Sequence, residues 1–229
     1  MTKHIGIVAC SAEGASLCYR TICVEGAELL GPHAHPEVSM HTPPLSDYVT
    51  CLDNEDMKGV GDLMLASADK LAQIGADFLI CPDNTIHQAF DYVAERSPRP
   101  WLHIADAVRN EASNRGYKKL GLLGTTWLMA SSVYPEKLKQ KNIEVELPSD
   151  EQRVELGRII MDELVNSKFL RASVDYYRSA IDDLKQRGCD AVILGCTEIP
   201  LIIDKTNSSL PILDSTRLLA RAALREAVT

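Results

Sequence analysis

Two short stretches of this 229-residue chain repeat one another in type, and they fix most of what it can fold into. The first runs Gly75-Ala76-Asp77-Phe78-Leu79-Ile80-Cys81-Pro82-Asp83-Asn84-Thr85. The second runs Gly188-Cys189-Asp190-Ala191-Val192-Ile193-Leu194-Gly195-Cys196-Thr197-Glu198. Each reads as a helix-ending glycine, an Asp two residues on, an apolar run, then a small polar cluster. The differences 188 − 75 and 196 − 83 both give an offset of 113, which sets Asp83 opposite Cys196 and Asn84 opposite Thr197. A second pair keeps nearly the same spacing: His4-Ile5-Gly6-Ile7-Val8-Ala9-Cys10 against Lys119-Leu120-Gly121-Leu122-Leu123-Gly124-Thr125, with 121 − 6 giving 115. Two matches in the same order indicate an internal duplication. Two similar halves related by a rough two-fold axis can aim matching residues at one ligand from opposite sides.

Around these stretches, short apolar runs alternate with amphipathic segments, which predicts strands followed by helices. Strands are expected at 4–9, 38–41, 77–81, 101–104, 119–123, near Val145, at 190–194 and at 211–214. Helices are expected at about 17–30, 56–74, 87–96, 105–115, 129–139, 150–166, 170–187 and 217–228. Met57, Val60, Met64, Ala68 and Leu71 share one helical face, as do Val174, Tyr177, Ile181 and Leu184. The fold class this predicts is α/β: two similar doubly wound parallel-sheet domains related by a pseudo-two-fold axis, with the active site in the interdomain cleft. Ser97-Pro98-Arg99-Pro100 is the most linker-like stretch. The expected division is therefore 1–98 plus 209–229 for the N-terminal domain and 99–208 for the second.

In parallel α/β sheets, ligands sit beyond the carboxyl ends of the strands. The polar clusters at Ser11, Asp83, Thr125 and Cys196 all fall at such ends. Asp83 and Cys196 are the candidate catalytic pair. A carboxylate and a thiol facing one carbon could take a proton from one face and deliver one to the other. An unperturbed Asp is ionised near neutrality and an unperturbed Cys is not, which makes Asp83 the base and Cys196 the acid. Each also has a plainer reading, Asp83 as a helix cap and Cys196 as a small apolar filler. The shared repeat position favours chemistry. Ser11, Asn84, Thr85, Thr125 and Thr197 are candidate substrate-binding donors, able with helix N-terminal amides to hold a carboxylate. Capping alone uses the same geometry. Glu198 has three readings: orienting the thiol, binding an ammonium, or capping.

Composition removes other classes. A net charge of −8 argues against nucleic-acid and anionic-membrane partners. Seven cysteines, an odd number without a CxxC pair, predict free thiols in a reducing compartment. With no leader-like segment and no apolar run of spanning length, the expected location is cytoplasmic. His33, His35 and His41 make no closed ligand set, so no metal is expected. Walker, Gly-x-Gly-x-x-Gly and Gly-x-Ser-x-Gly loops are absent.

At these residues the sequence resembles the cofactor-independent aspartate/glutamate racemase family, over nearly the whole chain. Gly195-Cys196-Thr197-Glu198-Ile199-Pro200 is similar to that family's second cysteine motif, and Asp83-Asn84-Thr85-Ile86-His87 to its first, normally Cys-Asn-Thr-x-His. Gly124-Thr125 with Tyr134, Ile5-Gly6-Ile7, Ser11-x-Glu13 and Tyr19-Arg20 also fit. The resemblance implies two α/β domains flanking a cleft, no cofactor, and two-base racemisation of a small acidic amino acid. It assigns substrate-carboxylate binding to Asn84, Thr85, Thr125 and Thr197. Three positions depart from the pattern. Asp83 stands for the first cysteine, Ala12 for a frequent aromatic residue, and Leu128 for a polar residue shortly after Thr125. Arg20 and Lys168 are open alternatives for a cation facing the substrate side chain. The expected partner is a small amino-acid or dicarboxylate substrate, and the expected assembly a homodimer. Two other readings stay open: a one-cysteine isomerase or decarboxylase of a substituted dicarboxylic acid, and a non-catalytic ligand-binding homologue.

Overall fold

The structure, a computed structural model, describes residues 2–229. It divides into two compact units, Met1–Ala107 with Thr216–Thr229, and Val108–Ser215. The first unit holds β1 (Ile5–Val8), α1 (Ala12–Leu30), β2 (Val38–His41), α2 (Leu45–Asp53), α3 (Met57–Gln73) and β3 (Phe78–Ile80). A 3-10 turn (Thr85–Ala89), α4 (Phe90–Ala94) and β4 (Trp101–Leu102) follow, and α5 (Ile104–Asn114) begins there. The second holds β5 (Lys119–Leu123), α6 (Thr126–Met129), α7 (Val133–Lys139), β6 (Glu144–Glu146), α8 (Asp150–Arg158), α9 (Arg171–Gln186), β7 (Ala191–Leu194) and β8 (Ile212–Asp214). The last helix, α10 (Ser215–Val228), places Leu219, Ala220, Ala223 and Leu224 in one core with Ile5 and Ile7 of the first unit.

Each unit is built on a four-stranded, all-parallel sheet, ordered β2-β1-β3-β4 in the first and β6-β5-β7-β8 in the second. The duplication read from sequence therefore extends to topology, and even to register. Ile5 pairs with Phe78, Gly6 with Leu79 and Ile7 with Ile80. Leu120 pairs with Ala191, Gly121 with Val192 and Leu122 with Ile193. Central strands β1 and β7 are buried along their whole length, as strands covered on both faces must be.

The repeated Gly-x-Asp has a physical job. Gly75 and Gly188 adopt φ +93° and +82°, a region that costs an L-residue about 1–2 kcal/mol. Each ends a helix: the next amide bonds back, Ala76 N to Leu71 O at 3.0 Å and Cys189 N to Leu184 O at 3.1 Å. Two residues later the Asp carboxylate clamps the start of the neighbouring strand. Asp77 accepts from His4 N at 2.7 Å, and Asp190 from Lys118 N and Lys119 N at 2.6 and 2.9 Å. These bonds set the register that carries the polar clusters to the sheet rim. They also hold the Asp190 carboxyl below its ordinary range. A group depressed in the folded state stabilises above its unfolded pKa and loses that contribution as pH falls through its folded value. Asp190→Asn should cost about 1 kcal/mol in urea unfolding at neutral pH, a discounted figure because the side chain is exposed. The difference from wild type should shrink as the pH falls below the carboxylate range.

Four expectations need correction. β4 pairs with β3 and β8 with β7, so Trp101–Leu102 belongs to the first sheet and Ile212–Asp214 to the second, and neither a break at 98 nor one at 209 follows the sheets. Helix α1 starts at Ala12 because Ser11 caps it, its hydroxyl accepting from Gly14 N. The helix expected over 129–139 is broken. The Ser131 hydroxyl donates to Leu128 O at 2.7 Å, and Pro135 has no amide to continue a helical ladder, so it stands in the first turn of α7. Helix α2, after Pro43-Pro44, was not anticipated. Among the described residues no helix is long and apolar enough to cross a membrane.

Candidate active site

In the first unit the polar cluster forms at the carboxyl ends of β1 and β3. Asp83 follows β3 by three residues. Its Oδ1 accepts from Ile86 N at 3.1 Å, so the carboxylate does cap the turn that follows. A carboxylate has a second oxygen, and capping does not exhaust it. The loop is pinned through the Asp83 carbonyl, which accepts from His87 Nδ1 at 2.6 Å and from the Cys81 thiol at 3.8 Å. His87 Nε2 in turn accepts from Ile104 N at 3.3 Å, which fixes the ring in the tautomer protonated at Nδ1. His103 lies against it, with ring centroids 4.7 Å apart, and its Nδ1 accepts from Ala105 N at 3.0 Å. The two histidines therefore act as scaffolding, and the His87 ring sets where the Asp83 backbone stands.

Asn84 and Thr85 are buried beside Asp83, and Ser11 is buried at the N-terminus of α1. Beneath them is Tyr48 of α2, fully buried. Its hydroxyl, with Ser67 alongside, makes no well-formed hydrogen bond among the described residues. Burial, then the Cys81, Cys10 and Asp83 groups, keep this phenol neutral. Burial also pushes the Cys81 thiol up.

In the second unit the matching cluster forms beyond β5 and β7. Gly195 N donates to Leu123 O at 2.7 Å, and a Cβ on Gly195 would stand 2.8 Å from that same oxygen. Only a glycine lets these two strand ends run so close, which brings Thr125 and Cys196 to one rim. Thr125 caps α6, its hydroxyl accepting from Leu128 N at 3.1 Å. Cys196 is 8% exposed, and its thiol donates to Glu198 Oε2 at 2.9 Å. The Thr197 hydroxyl donates to the same oxygen at 2.7 Å. Glu198 is 2% exposed. Tyr177 of α9 lies behind the pair, its phenol bonded to Leu156 O at 3.0 Å and kept neutral by burial first, then by Cys196 and Glu198.

Every residue picked from sequence thus stands at a carboxyl-terminal sheet rim: Ser11, Asp83, Asn84 and Thr85 in the first unit, Thr125, Cys196, Thr197 and Glu198 in the second. Of the residues with several readings, Glu198 receives both the Cys196 thiol and the Thr197 hydroxyl on one oxygen. Sequence reasoning gave no role at the site to Tyr48, Tyr177 or His103. His87 was visible in the Asp-Asn-Thr-x-His spacing, but its bond to the Asp83 carbonyl was not. Tyr48 carried no signal, because its helix was not foreseen.

Residues 6–223 match the family model described as Asp/Glu/Hydantoin racemase. The broad specificity amino-acid racemase RacX of Bacillus subtilis is 25% identical over 191 residues, 83% of this chain and 81% of that one. A crystal structure of a candidate Asp/Glu racemase from Yersinia pestis superposes with a TM-score of 0.89 at 30% identity, covering 99% of this chain and all of that one. An aspartate racemase homologue from Pyrococcus horikoshii OT3 gives a TM-score of 0.84 at 29% identity, covering both chains completely.

Proposed function

Because the chain belongs to the Asp/Glu/Hydantoin racemase family, we propose that it inverts the α-carbon of a free amino acid without a cofactor, Asp83 and Cys196 carrying the proton. The observation that carries this reading is the shared register: the sheets pair in the same way, and Asp83 and Cys196 each stand three residues beyond matching paired residues, Ile80 and Ile193. Asp83 takes the proton from one enantiomer while Cys196 supplies one to the opposite face; the other enantiomer uses the reverse assignment. Thr125 and Ser11, at helix N-termini, and the buried Asn84, Thr85 and Thr197 bind the substrate carboxylate. An ionised Asp83 repels an acidic side chain, which favours a neutral amino acid over aspartate or glutamate. The name of the Bacillus subtilis relative, a broad-specificity racemase, is compatible with that choice.

The test is exchange of the α-hydrogen for deuterium in heavy water, screened by NMR over both enantiomers of the common amino acids. At least one pair should exchange and racemise, with neutral side chains ahead of acidic ones. Complete silence across the panel would sink the racemase reading. Carbon dioxide release from a substituted dicarboxylic acid instead would point to the one-cysteine decarboxylase.

A further inference from the structure

Tyr48 of α2 has no part in the reading above, and its hydroxyl is an exception in this fold. The ring is fully buried, and the hydroxyl has no hydrogen-bond partner among the described residues. Buried hydroxyls are nearly always paired, because an unpaired one loses its bonds to water and gains nothing. Ser67 of α3 stands alongside, but its hydroxyl is already engaged. Lys70 Nζ can only donate, and it donates to His41 Nε2 at 2.9 Å. His41 Nδ1 therefore carries the ring hydrogen and gives it to Ser67 Oγ at 2.9 Å, while Ser67 Oγ donates to Leu63 O at 3.3 Å. Burial, then Lys70, hold His41 below its usual range, which keeps the ring in that neutral form. The phenol also lies close enough to Cys81, Cys10 and Asp83 to feel them. That sets it at the carboxyl ends of β1 and β3, under the candidate site.

We propose that Tyr48 is a specificity-determining residue whose hydroxyl is completed by the substrate, an amino acid with a hydroxyl or carboxamide on its side chain. This rests on the racemase reading above and narrows its substrate class. A phenol gives one hydrogen and can accept one, and an alcohol or an amide answers both. An aliphatic side chain answers neither and leaves the hydroxyl as it is in the free protein. A carboxylate brings a second negative charge beside Asp83, and no Lys or Arg among the described residues is buried to balance it. The helix that carries the phenol is lightly held. α2 buries only Tyr48 and Leu52 of its nine residues and starts at Pro44 without a side-chain cap. A small shift of α2 that brings the hydroxyl onto a ligand therefore breaks few buried contacts.

The experiment is Tyr48→Phe, which removes the hydroxyl and nothing else. In the free protein its thermal midpoint should equal or exceed that of wild type, because an unpaired group takes no bond with it. A lower midpoint, or a variant that does not fold, would mean that the phenol is bonded within the chain and would overturn the proposal. Binding is then read by titration calorimetry with both enantiomers of serine against α-aminobutyrate, threonine against valine, asparagine against leucine and glutamine against norleucine. Wild type should bind at least one polar member about tenfold more tightly than its apolar counterpart, and in Tyr48→Phe that pair should come within about twofold. A wild type without the preference, a preference that survives the substitution, or a panel that does not bind at all would each overturn it. Binding needs no turnover, so the deuterium screen separates this proposal from the reading beneath it. The expected binding pattern without α-hydrogen exchange would keep the role of Tyr48 and discard the racemase. Exchange without preference for the polar members would keep the racemase and discard the role of Tyr48.

Discussion

Replacing Cys196 by alanine is expected to lower α-hydrogen exchange by about 10³-fold or more, within the range that a positioned acid–base group contributes. The loss of exchange should fall on the enantiomer whose α-hydrogen faces Cys196, while inversion should be lost from both. On the proposed mechanism Cys196 is the base for one and the acid for the other, and the Thr197 hydroxyl beside it keeps its bond to Glu198 and gains no proton-transfer role. The substitution removes one sulfur from a site at the edge of a well-packed sheet, so the fold should survive with only a modest drop in thermal midpoint. The measurement is deuterium incorporation by NMR, with circular dichroism as the folding control. Full activity in this variant would eliminate every enzymatic reading that uses the thiol.

Asp83→Asn should separate exchange from inversion. An asparagine keeps the cap, since its side-chain oxygen can accept from Ile86 N as the carboxylate does, so the loop held by His87 stays in place. What it loses is the ability to carry a proton. Racemisation should fall by about 10²–10⁴-fold. Exchange should persist on the one enantiomer whose α-hydrogen faces Cys196, because a thiolate can remove that hydrogen and return deuterium to the same face with retention. Chiral chromatography coupled to mass spectrometry distinguishes the two outcomes in one reaction. Racemisation within about twofold of wild type would remove Asp83 from the mechanism and leave it as the turn cap its Oδ1 already is.

The duplication, the parallel α/β class and the placement of the polar clusters at strand ends were all legible in the sequence, and for one reason. Each depends on local order: a glycine that ends a helix, an Asp that clamps the next strand, an apolar run whose length fits a buried strand, and a polar cluster beyond it. Gly75 and Gly188 announce their positive φ by type, and Asp77 and Asp190 announce their clamps by spacing. Repetition at one offset then ties Asp83 to Cys196 without any knowledge of where either side chain points.

Which strands share a sheet was decided only by tertiary pairing. Trp101–Leu102 lies beside a stretch that resembles a linker and Ile212–Asp214 beyond an expected domain break, yet each completes a sheet edge through hydrogen bonds to a strand about twenty residues away in sequence. Tertiary structure also decided the electrostatic company of the reactive groups. A carboxylate two residues after a cysteine can point anywhere. Here the turn after β7 folds Glu198 back so that one oxygen receives both the thiol and the Thr197 hydroxyl. Buried Tyr48 and Tyr177 come to lie under the two clusters from helices 35 and 19 residues distant, as 83 − 48 and 196 − 177 give. Periodicity reports which face of a helix is apolar, but not which loop that face will meet. Proton affinity is set by that meeting, through burial and the nearest charge, and so it belongs to the folded chain alone.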